Sequence, residues 1–134
     1  MDINHLAHKS ANEHRELEAL LGCLGEMVNY PGDKEASHLT LSKLISLVIK
    51  HAHDEEQLMR RIDFKDSAAN ITDHQRVTEC FSKHLVNSED FSQETWAAVV
   101  KDLQSAFETH LIIFDQPLAQ ELHVATNAIR SALL

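Results

Sequence analysis

Residues that break or staple a chain are scarce in this sequence. Three Gly and two Pro among 134 residues leave little material for tight turns, which argues against an all-β or disordered chain and for a soluble, helix-rich one. Only two cysteines are present, Cys23 and Cys80. They are isolated, with no CxxC or zinc-type spacing, so they read as reduced, packed thiols in a cytoplasmic protein. Cations are also few. Twelve Lys and Arg against twenty-one Asp and Glu give a net charge of −9, which should repel nucleic acid and anionic lipid. Long apolar runs are missing as well. The opening MDINHLAHKS has no basic segment leading into an apolar stretch, so neither secretion nor membrane insertion is expected.

What is present is 43% hydrophobic and 25% charged residues, in a length that suits one domain, residues 1–134, with one core. The apolar positions recur at helical spacing. Leu17, Leu20, Leu21, Leu24, Met27 and Val28 mark a helix over about 4–29, ended by Pro31 and Gly32. Ser37 reads as the cap of a second helix reaching to about 62, with Leu41, Leu44, Ile45, Val48, Ala52, Met59 and Ile62 on one stripe. Beyond the polar segment FKDSAAN, Asn70 with Asp73 resembles the capped start of a third helix over about 71–86, carrying Val77, Phe81 and Leu85. Trp96, Val99, Val100, Leu103, Phe107, His110 and Phe114 mark a fourth, stopped or kinked at Pro117. The run PLAQELHVATNAIRSALL forms a short fifth. Four long helices with short connections predict an all-α fold, an up-down-up-down four-helix bundle with a short C-terminal fifth helix.

Polar side chains interrupt those greasy stripes at six places. His14 precedes Leu17 and Leu21; His51 and Glu55 lie on the stripe of Leu44, Val48 and Met59; His74 shares the face of Val77 and Phe81, and His110 that of Leu103 and Phe107. Asp115 fits less well, because five residues past His110 is about 140° around an α-helix; a wide turn before Pro117 would aim it inward. Buried imidazole and carboxylate are costly unless satisfied, and a pair of transition metals would satisfy all six at once. The donor set suits iron, manganese or zinc. Some of the net negative charge is then internal, neutralised by bound cations. The other histidines, His5, His8, His38, His53, His84 and His123, fall off these stripes or near helix ends and are expected at the surface.

The segments EHRELEALL around His14, HAHDEEQLM with His51 and Glu55, and HLIIFD with His110 and Asp115, in this order and spacing, resemble the hemerythrin family, and specifically its single-domain bacterial members, over nearly the whole chain. The resemblance implies a four-helix bundle around two non-haem Fe ions bridged by the glutamate, the aspartate and an oxo or hydroxo group, with reversible O2 binding at one iron. It also implies that His14 and His51 hold the iron with the open position, that His74 and His110 hold the other, and that Glu55 and Asp115 bridge. The third helix departs from the family, which usually has two histidines four apart there. Reading on from Met59 without a gap sets Asn70 at the first of those positions and His74 at the second; the register with His74 first and Thr78 second needs a longer loop, so the ungapped one is preferred. Either way one imidazole is missing. Asn70 then offers a neutral carbonyl oxygen, a weaker ligand, or it caps the helix while water or another carboxylate completes the shell.

Three kinds of function follow. The first is binding of O2 or another small diatomic ligand, as carrier, store or sensor, helped by the apolar run Leu111, Ile112, Ile113 and Phe114, which would limit proton access. The second is a di-iron redox enzyme, a peroxidase, ferroxidase or nitric-oxide-handling centre, for which the missing histidine would leave room. The third is a one-metal or metal-poor bundle for iron sensing or protein interaction. O2 binding without catalysis is preferred. No nucleic-acid or membrane partner is expected, and a sensor would need a separate protein partner for its output.

Overall fold

A computed structural model describes the backbone of residues 2–29 and 34–133 and the side chains as far as 125. Among the described residues every regular element is helical: α1 (Ile3–Asn29), α2 (Lys34–Arg61), α3 (Ser67–Asn87), a 3-10 turn (Ser88–Asp90), α4 (Gln93–His110), a π-helical segment (Leu111–Asp115) and α5 (Gln116–Leu133). No described helix is long and apolar enough to cross a membrane.

The stripes set the packing. α1 buries Leu17, Leu21, Leu24 and Val28, α2 buries Leu41, Leu44 and Val48, α3 buries Val77 and Phe81, and α4 buries Trp96, Val99, Val100, Leu103 and Phe107, all in one cluster. α2 packs between α1 and α3, and α4 between α3 and α1, so four helices close a ring around that core. A second, smaller cluster joins Met59, Phe64 and Leu118, with Ile62, Ile71 and Leu122 against it. On α2, on α3 and along α4 into α5 the polar positions fall between the two clusters, so apolar packing on both sides fixes their backbones.

Two helix starts differ from the sequence expectation. α2 begins at Lys34, so Ser37 is a buried residue inside it and not its cap. α3 begins at Ser67, which places Asn70 a turn inside the helix. The cause lies in the connection. Asp63 takes a left-handed φ of 51°, and the Phe64 N–H then bonds back to the Met59 carbonyl at 2.9 Å, a Schellman-type end whose apolar contact is Phe64 against Met59. The loop is therefore short, and Ser67, Ala68 and Ala69 are free to form helix.

The fourth helix does not stop at Pro117. It widens into the π segment and continues as α5, with the Gln116 N–H bonded to the Leu111 carbonyl. Pro117, which has no N–H to donate, falls in the first turn after the widening. In this π segment residues five apart take the relation that residues four apart hold in an α-helix. Asp115 is thereby turned inward and buried. The same segment turns Ile112 and Ile113 outward, 54% and 56% exposed, so the expected shielding by that run fails for those two. Cys23 is also exposed rather than packed.

Candidate metal centre

Every helix of the ring delivers a donor to one place. His51 and Glu55 lie one turn apart on α2, as do Asn70 and His74 on α3. His110 ends α4, Asp115 ends the π segment, and His14 comes from α1. All are buried except His14, whose side chain is 17% exposed.

Each of the two carboxylates reaches three histidines and sends its two oxygens to opposite sides of the cluster. Glu55 Oε2 is 3.1 Å from His51 Nε2, whereas Oε1 is 2.9 Å from His74 Nε2 and 3.8 Å from His110 Nε2. Asp115 repeats the division. Its Oδ2 is 3.9 Å from His14 Nε2 and 3.8 Å from His51 Nε2, and its Oδ1 is 3.0 Å from His110 Nε2. One half of the cluster thus holds His14, His51 and one oxygen of each carboxylate. The other holds His74, His110 and the remaining oxygens, its four donors within 4.8 Å of one another.

The outer ring nitrogens are oriented too. Each Nδ1 faces a second carboxylate: His14 Nδ1 faces Glu18 at 3.6 Å, His51 faces Glu13 at 3.5 Å, His74 faces Glu56 at 3.8 Å and His110 faces Asp73 at 2.6 Å. The hydrogen bond to Asp73 orients the His110 ring and leaves Nε2 facing inward, an arrangement common among metal-bound histidines. The other three contacts, at 3.5 to 3.8 Å, are charge contacts without a hydrogen bond. These partners were not foreseen from sequence. Glu13 could have been, since it lies one turn before Leu17 on the α1 stripe; it and Asp54 are buried and paired with Lys50 and Lys9 at 3.6 and 3.2 Å. Asp73 offered no such signal, because its role depends on where α4 packs.

Without a cation the imidazoles and carboxylates of the cluster set one another's charge. Burial pulls His51 down, but the carboxylates of Asp115, Glu13 and Glu55 outweigh it and push the imidazole up to about 11. His110 follows the same balance, burial against Asp115 and Glu55, and reaches about 10. Burial favours neutral Glu55, yet His110, His51 and His74 together hold it well below the usual carboxylate range. In the metal-free protein both imidazoles are therefore cationic at neutral pH. Metal uptake should expel a proton from each, and affinity should rise with pH by about tenfold per pH unit for each proton displaced. Calorimetric titration in buffers of different ionisation enthalpy measures this; uptake at pH 7 with no proton release would contradict it.

Several of these donors have no hydrogen-bond partner: Nε2 of His14, His51 and His110, both oxygens of Asp115, and both amide atoms of Asn70, which is fully buried. These imidazoles and carboxylates are held by opposite charge without aligned hydrogen bonds, and a metal pair would satisfy them together. The residues fit such a group. A cleft of about 480 Å³ lined by Ala7, Ala11, Leu111 and Leu118 reaches His14, His51, Glu55 and Asp115, giving one half of the cluster an approach from solvent. Among the remaining histidines, His5, His8, His53 and His123 are exposed as expected, but His38 and His84 are half-buried, the first against Ser88 and the second against Asp102. Compared with family models, with curated proteins and with solved structures, the chain matches none.

Proposed function

We propose that this chain is a hemerythrin-like, non-haem di-iron protein, an up-down-up-down bundle with an added C-terminal helix, that binds O2 or a similar diatomic ligand. The observation that carries the proposal is the division of Glu55 and Asp115, each with one oxygen toward His14 and His51 or His51 alone and the other toward His74 and His110 or His110 alone. Carboxylates so placed could bridge two ions. The closed ring of neighbours with short connections supports the alternating topology.

When bound, an iron pair supplies reversible redox chemistry and an open position for a small ligand. The chain's own residues decide which side that position faces. The cleft touches His14 and His51 but neither His74 nor His110, so ligand entry is assigned to the half held by His14 and His51. Phe107 packs 5.0 Å from the His14 ring and Phe114 stacks 5.3 Å from that of His110; they restrict water around the imidazoles where Ile112 and Ile113 do not. Asp73 keeps Nδ1 of His110 occupied by a hydrogen bond, and Glu13 lies 3.5 Å from Nδ1 of His51.

Anaerobic reconstitution with ferrous iron, followed by air, should give two irons per chain and new near-ultraviolet and visible absorption that reverses under argon. A colourless, iron-free product would refute the proposal. The redox-enzyme alternative has one observation in its favour: a groove of about 420 Å³ also reaches His74 from outside, between α2 and α3. Absorption that appears in air but does not reverse, together with turnover of peroxide or ferrous iron, would favour that alternative. A single metal per chain would favour the sensing or interaction bundle.

A further inference from the structure

Two turns along α3 from His74, Cys80 and His84 stand one turn apart, and Asp102 of α4 reaches both. Cys80 Sγ is 3.5 Å and His84 Nε2 is 2.7 Å from the same oxygen, Asp102 Oδ2. One donor atom from each of the three residues lies within 4.8 Å of the other two. We propose that Cys80, His84 and Asp102 form a second metal site, for a divalent ion of the zinc class, separate from the interior cluster.

Thiolate, imidazole and carboxylate are zinc's ordinary donors, and three protein ligands leave a fourth tetrahedral position for water. The distances are close to what that geometry requires. With Zn–S of about 2.3 Å and Zn–N or Zn–O of about 2.0–2.1 Å, tetrahedral angles set sulfur and oxygen about 3.5 Å apart, and nitrogen and oxygen about 3.3 Å apart. The first separation is already met. The second asks His84 and Asp102 to part by about 0.6 Å, which side chains 18% and 49% exposed can do by small rotations. Cys80 and His84 are four apart on one helix, so they chelate from a single face.

The surroundings favour a metal over a reactive thiol. A groove of about 520 Å³, lined also by Ser105 and Thr109, gives entry and room for the fourth ligand. Two cations line it, Arg76 and Lys83; Arg76 is held by Asp73 at 2.6 Å. Burial pushes the Cys80 thiol up, and Asp102 adds to the rise, so Cys80 is a protonated thiol until a cation arrives. The His84 Nε2 is engaged by Asp102 and does not activate the sulfur. On entry of the ion the S–H bond breaks, its proton leaves to solvent, and the sulfur lone pair becomes the metal bond.

Cobalt(II) is a coloured stand-in for zinc that reports a sulfur ligand directly. Titration of the full chain with Co2+ should produce a thiolate-to-cobalt charge-transfer band and strong tetrahedral bands, bleached by Zn2+. The interior cluster has no thiol and cannot give the first band. Cys80→Ser should abolish it, and His84→Ala or Asp102→Asn should weaken cobalt binding by about tenfold or more. Cys23→Ser should leave it unchanged. The proposal is overturned if no thiolate band forms, if the band survives Cys80→Ser, if it is lost in Cys23→Ser, or if His84→Ala binds cobalt as tightly as the parent while circular dichroism shows the helices intact.

Discussion

Glu55→Ala should hold no iron pair and yet remain helical. The Glu55 carboxylate lies within 4 Å of His51, His74 and His110 at once, so its loss removes a donor from both halves of the cluster. The apolar core of Leu24, Leu41, Leu44, Phe81 and Leu103 is untouched. In the metal-free protein the substitution has a second effect, because it leaves His51 and His110 cationic and buried with less opposing charge. Removing one partner of a buried ion pair costs about 3–5 kcal/mol, and a loss of that order is expected at pH 7. The sign of its pH dependence follows from the shifts. Both imidazoles are raised in the folded state, to about 11 and about 10, so the stability they gain from Glu55 is fully present below their unfolded value and fades as pH rises through 10 to 11. Glu55 is depressed, so its own contribution fades as pH falls through its lowered value. The difference between parent and variant should therefore be widest between the unfolded carboxylate value of 4.5 and the unfolded imidazole value of 6.5, and shrink on both sides. Metal analysis and denaturant titrations across pH test this; two irons retained, or a difference that is flat with pH, would show that Glu55 is not the hub.

How much of this was legible beforehand depended on whether a feature was periodic. His51, Glu55, His74 and His110 sit at three, four and seven residues from buried apolar neighbours, and that spacing alone places them inside. Asp115 broke the period and was placed only by allowing a wide turn; the π segment supplies one, but a π bulge has no composition that announces it. The early start of α3 was hidden for a different reason. Asp63 takes a left-handed turn that glycine usually marks, so the polar stretch after Phe64 looked like loop. Asp73, Glu18 and Glu56 look like surface acids in sequence. Glu18 lies one turn from His14 on α1, but only the meeting of different helices shows that Glu56 faces His74 and Asp73 faces His110.

Asn70→His should strengthen iron retention at the half of the cluster held by His74 and His110. Asn70 lies one turn before His74 on α3, is fully buried, and has no hydrogen-bond partner for either amide atom. It is thus an interior residue and not a helix cap, and under the proposed function an imidazole there is expected to reach the iron held by His74 and His110. Imidazole is the better ligand for iron, so the variant should lose iron to a chelator about tenfold more slowly, or more so. The metal-free protein should respond in the opposite direction. A larger side chain in a fully packed site costs about 1–3 kcal/mol, so Asn70→His should lower the metal-free melting temperature while raising that of the iron-loaded form. Thr78→His is the control for the other register. Thr78 is half-buried and lines the outer groove with Ile49, His53 and Gln75, so a histidine there should leave iron loss unchanged. Tighter iron in Thr78→His with none in Asn70→His would mean that α3 presents the turn after His74 to the metal. No change in either would mean that another group or a stable water already fills the coordination position that Asn70 was assigned.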